Sequence, residues 1–114
     1  MSFFDSEVVR AEMTEISELQ EDVYRNVFKF PSMNKEEKKF HVGMLERLLD
    51  KQRILYTRLS LSDDPEAKMM KQRIVESATM MGLPPDADMS TVFSIMSQML
   101  EVMKEQIDKS GSDL

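Results

Sequence analysis

A chain of 114 residues has single-domain length, and a fold of that size buries roughly two thirds of the surface its unfolded form exposes. It has no cysteine, which excludes disulfides and thiolate metal sites, and with 32% charged residues its apolar runs stop at two or three, which excludes a transmembrane helix or a secretory core. The net charge of −6 argues against general nucleic-acid binding, where affinity comes from basic groups that release counterions, so a soluble cytoplasmic protein with no membrane partner is expected.

The first helix is expected over residues 5–29. Asp5 is its candidate N-cap, and Phe4 before it can close onto Val9 as a hydrophobic staple. Val9, Met13, Ile16, Val23, Val27 and Phe30 recur at heptad-like spacing, broken once by Gln20. Glu12, Glu15, Glu18 and Glu21 cover the outer side. A helix fans such carboxylates apart, whereas a hard cation needs ligands that converge, so they read as a solvated face. Pro31 disfavours helix at Phe30, and the short break Phe30-Pro31-Ser32-Met33 forces an antiparallel hairpin.

The second helix, residues 34–60, is the element the others are arranged around. Asn34 and Glu37 have the spacing of a capping box, and Leu45, Leu48, Leu49, Leu55, Tyr56 and Leu59 fall on one helical stripe. Residues 5–29 carry a net −4 and residues 35–58 a net +3. Two adjacent segments of opposite sign attract, and the plain reading is that they pair along their own seam rather than reserve the bases for a partner.

Asp64 and Pro65 mark the N-cap and first position of a third helix, residues 65–81, whose stripe is Ala67, Met70, Ile74, Ala78 and Met81. Gly82 suits the left-handed position after its end, Leu83 can fold back, and Pro84-Pro85 stop the helix. Asp88 caps a fourth helix over residues 89–108, with Met89, Val92, Phe93, Met96, Met99, Leu100, Met103 and Ile107 on its stripe. Residues 109–114 have nothing to bury and read as a mobile tail. The expectation is one all-α domain over residues 1–108, either a four-helix bundle or two stacked antiparallel helical hairpins.

Signals of catalysis are scarce. The single His41 follows Glu37 by four residues, but a carboxylate-bridged bundle site needs Glu-x-x-His on two helices, so His41 reads as a surface or seam-edge residue. Gly43, Gly82 and Gly111 stand too far apart to cradle a phosphate. No catalytic residue, metal ligand or cofactor is assigned, and the chain reads as a non-enzyme.

Methionine is the informative excess, with twelve residues. Thioether side chains fill irregular cores and also line adaptable partner surfaces. The stripe positions read as core. Adjacent pairs such as Met69-Met70 and Met80-Met81 cannot both point inward, so some thioethers are left exposed or are covered by another chain. On the second helix a further row runs beside the core stripe: Phe40, Met44, Ile54 and Leu61, with Arg47, Lys51 and Arg58 between them. Apolar ends with a basic middle suit an interface with an acidic surface, such as the first helix of a second copy. A wider core stripe with snorkelling basic stems explains the same row, and both readings stand.

Phe3-Phe4-Asp5-Ser6-Glu7-Val8-Val9, the turn Leu59-Ser60-Leu61-Ser62-Asp63-Asp64 and the Met-rich stretch from Met96 to Gln106 resemble a family of small helical proteins of unknown function from cyanobacteria and their T4-like phages. The resemblance runs along nearly the whole chain. It implies a cyanobacterial or phage-infected cytoplasm and no particular chemistry.

These readings lead to a helical protein-protein interaction module, self-associating as a dimer or bound to a host or phage protein, with Phe40, Met44, Arg47, Lys51, Ile54, Arg58 and Leu61 as candidate partner-binding residues. The alternative is a nucleic-acid or transcription accessory in which Lys38, Lys39, Arg47, Lys51, Arg53 and Arg58 meet phosphates.

Overall fold

Four α-helices follow one another in a computed structural model that describes residues 3–110, apart from Met81, Pro85, Ala87 and the side chains of Ala78 and Ser110. They are α1 (Glu7–Asn26), α2 (Lys35–Leu61), α3 (Pro65–Met80) and α4 (Met89–Ser110), with short 3-10 segments at Phe3–Asp5 and Val27–Ser32 and no strand among the described residues.

The helix starts follow local chemistry. Asn34 Oδ1 accepts from the Glu37 amide at 2.9 Å while Glu37 Oε1 accepts from the Asn34 amide at 3.4 Å, a reciprocal capping box. Asp64 accepts from the Glu66 amide at 2.9 Å, and Asp88 accepts from the Ser90 amide at 3.1 Å. Gly82 has φ of +105°, the left-handed region that lets the chain leave α3 at no steric cost.

Other boundaries differ from the sequence reading. Ser6, rather than Asp5, caps α1 by accepting from the Val9 amide. Asp5 is held in a turn by tertiary contacts: Phe3 and Phe4 stack edge to face at 5.1 Å and pack on the core, and the Phe3 amide donates to the Asp64 carboxylate. The helix that was expected to reach residue 29 ends at Asn26, and Val27–Ser32 tightens into 3-10 turns that accommodate Pro31 near their end. At the other end α4 runs on to Ser110, so Lys109 is helical; residues 111–114 of the expected tail lie outside the described residues, as do Met81 and the Ala78 side chain of the third stripe.

α2 is the spine. α1 runs antiparallel along one side, so that early residues of α1 meet the C-terminal half of α2, and α4 runs antiparallel along another, tied by Lys39–Asp108 at 2.7 Å and Lys104–Glu46 at 3.3 Å. α3 turns back after residues 62–64 and packs on α2 and on the N-terminal turn. Two apolar clusters result. The larger holds Val9, Ile16 and Val23 of α1 with Leu48, Leu55 and Leu59 of α2 and Ala67 of α3. The smaller holds Leu49 with Met89 and Phe93 of α4, and Tyr56 and Leu100 pack against it.

The molecule is an elongated slab of 56 × 31 × 20 Å. Its radius of gyration is 16.4 Å, against the ~13 Å of a compact domain of this length. A thickness of 20 Å is about two helix diameters, so the core is one seam deep and every helix keeps an outer side.

Candidate interaction surface

The row on α2 that the sequence marks for a partner is divided by the fold. Its apolar ends are open: Phe40 and Leu61 are 71% and 81% exposed, and Ile54 lies at the edge of exposure. Met44 packs half-buried on the larger cluster. The basic middle meets α1. Lys51 pairs with Glu15, and Arg58 Nε stands 3.2 Å from Glu12 Oε1, while Arg47 is exposed close enough to Glu15 to act on its charge. The hydrogen bond and charge of Lys51 hold the Glu15 carboxyl below its ordinary value. Of the six bases offered for phosphates, Lys39, Lys51, Arg53 and Arg58 face carboxylates, and Lys38 lies over the Phe30 ring at 5.6 Å. Within one chain the α1–α2 seam thus engages Lys51 and Arg58, while Lys39 is engaged by α4 and Arg53 by its own helix.

His41 is buried, not at the surface or seam edge. It is 3% exposed, with its ring 5.5 Å from the Phe30 ring, and its Nδ1 has no hydrogen-bond partner. Burial pushes the imidazole pKa down, which keeps the ring neutral. The 3-10 turns carry Phe30 onto it, and no sequence spacing announces that closure. Among the described residues no group of three or more His, Asp or Glu is placed to hold a metal ion, and no helix is long and apolar enough to cross a membrane.

Among the described residues α4 carries four exposed large apolar side chains, Ile95, Met96, Met99 and Val102, against three on α2. Successive residues step 100° around a helix, so Phe93, Leu100 and Ile107 form one line, which faces α2, and Ile95 and Val102 stand on the opposite side. Met96, Met99 and Met103 fill the arc between. Half the circumference of α4 is therefore apolar, and α2 covers only part of it: Ile95, Met99 and Val102 are 51%, 61% and 51% exposed. Met96 also borders an apolar groove of about 480 Å³ where all four helices meet, with Tyr56, Ile74 and Phe93 in its walls and Gln20, Gln52 and Ser77 as polar groups. The sequence reading took Met99 as core and passed over Ile95 and Val102. The signal was the spacing Val92, Ile95, Met99, Val102, a second alternation of three and four offset from the first.

Adjacent methionines divide as their geometry requires. Met69 is exposed while Met70 packs on the larger cluster, and Met80 is exposed. A second apolar cap lies at the hairpin tip, where Tyr24, Val27 and Phe28 all face outward.

Fold and surface together define a small, elongated all-helical protein with one helix left half uncovered. The chain belongs to the family described as Domain of unknown function (DUF1825), which matches residues 1–107. No curated protein and no solved structure matches it.

Proposed function

We propose that this protein is a non-enzymatic helical interaction module that self-associates and serves a regulatory role in the cytoplasm of a cyanobacterial or phage-infected cell. The cellular setting rests on the sequence resemblance. The interaction role rests on one observation: the uncovered apolar half of α4, centred on Ile95, Met99 and Val102. Those three side chains and Met96 expose on the order of 400 Å² of mostly apolar surface, within the range of the largest apolar patch on a monomer, which is often functional. Thioethers within it suit a surface that must adapt to what it covers. We therefore favour α4 as the working face over the α2 row, where Lys51 and Arg58 are engaged with Glu15 and Glu12. The phosphate-binding alternative has less support for the same reason.

Sedimentation across micromolar concentrations, with capture from cyanobacterial lysate as a second arm, tests the proposal. A concentration-dependent rise in mass, or a stoichiometric protein partner lost on Met99→Glu, is the expected result. A strictly monomeric species that captures nothing ends the reading.

A further inference from the structure

We infer that the occupant of the open α4 face is the α4 helix of a second copy, laid antiparallel across a two-fold axis near residue 97; this rests on the interaction-module reading above. The open row continues beyond its apolar centre. Ile95, Met99 and Val102, with Val92 half-covered by the smaller cluster, alternate at spacings of three and four, and the same alternation reaches Asp88 at the N-terminal end and Gln106 then Lys109 at the C-terminal end. The row is thus apolar in the middle, acidic at one end and basic at the other.

That polarity chooses the direction. Parallel pairing sets each seam residue against its own copy, Asp88 on Asp88 and Lys109 on Lys109, which places like charges together at both ends. Antiparallel pairing about residue 97 sets Val92 on Val102 and Ile95 on Met99, and Asp88 against Gln106 with Lys109 one turn beyond. It also lays the N-terminal end of each helix dipole beside the C-terminal end of the other. The flanks follow. On the side toward the α2 groove Met96 meets Met96, while on the other side Thr91 meets Glu105.

The area is sufficient for a modest dimer. Two copies of the patch cover ~800 Å², and the polar flanks extend the contact toward the ~1,000 Å² that a specific interface needs, so association is weak and concentration-dependent.

The absence of native cysteine gives a direct test in the full chain. A nitroxide on Glu105→Cys reads a distance between copies of about 25 Å for the antiparallel pair and near 10 Å for a parallel one. In a second arm, Ile95→Glu with Val102→Glu alters side chains that are exposed in the single copy, so helix content is retained while the dimer dissociation constant rises by about 100-fold. A short distance, or a dimer indifferent to both substitutions, overturns the antiparallel α4 pairing and leaves the interaction-module reading standing. The label detecting no second copy at any concentration overturns the pairing, and capture of a different protein on the same face would then show that the module reading survives without it.

Discussion

Leu48 and Leu49 are neighbours in sequence and belong to different cores, Leu48 to the cluster shared with α1 and α3 and Leu49 to the cluster shared with α4. The 100° step between successive helical residues is what lets one helix serve both sides. Both leucines are buried, so each truncation to Ala should cost about 2–5 kcal/mol. The expected difference is regional. Native-state hydrogen exchange on Leu48→Ala should show weakened protection in α1, whereas Leu49→Ala should release mainly α4.

The tie between α2 and the end of α4 is set by charge. The hydrogen bond from Lys39, with its charge, holds the Asp108 carboxyl below its ordinary range, and the same bond raises the Lys39 ammonium. A depressed carboxylate stabilises the fold above its ordinary pKa, and that contribution is lost as pH falls through the folded-state value. For Lys39 the contribution is full below its ordinary pKa and is lost as pH rises through the raised value. In Lys39→Met, a carboxyl NMR titration should find the Asp108 midpoint moved upward; an unmoved midpoint would mean that the pair is not formed in solution.

His41 titrates in the opposite chemical sense but with the same pH direction. Its folded-state pKa is lowered by burial, so the unfolded chain takes up the proton first and stability falls as pH drops below about 6.5. His41→Leu replaces a buried ring whose Nδ1 has no partner with an apolar side chain of similar reach. Chemical denaturation from about pH 7 to about pH 5 should give a flatter stability profile for the substituted protein. A parallel slope in both proteins would assign the acid sensitivity elsewhere.

Two glycines should respond with opposite signs. A Cβ at Gly43 or Gly82 meets nothing within 4 Å, so packing does not decide either case. Gly43 lies inside α2, where Ala restricts the unfolded chain and should stabilise by about 0.5–1 kcal/mol. Gly82 sits at φ +105°, where Ala is strained and should destabilise by about 1–2 kcal/mol. Thermal melts of the two variants should move apart by roughly 4–8 °C for each kcal/mol that separates them.

The helix starts at Asn34, Asp64 and Asp88 and the exit at Gly82 were legible in the sequence because each is settled within three or four residues by a side chain and the nearest amides. Ser6 replaced Asp5 because a contact 61 residues away, the Phe3 amide on the Asp64 carboxylate, fixes how the chain approaches α1. The 3-10 turns of Val27–Ser32 and the burial of His41 under Phe30 come from the same cause, a tertiary closure that overrides local spacing. On α4 the sequence pattern reads as a single stripe. A helix with two offset rows has one for its own chain and another to spare, and only the packing tells which is which: Phe93 is covered and Ile95 is not.

The spine arrangement also has a consequence for biosynthesis. α2 is translated after α1 and well before α4, so the first hairpin can close while the ribosome is still at work, leaving the Leu49 side of α2 without its α4 cover. Until α4 emerges and folds back, the nascent chain presents a strip that chaperones or neighbouring polypeptides can grip, so closing α4 onto the Leu49 side of α2 is what withdraws that strip from them.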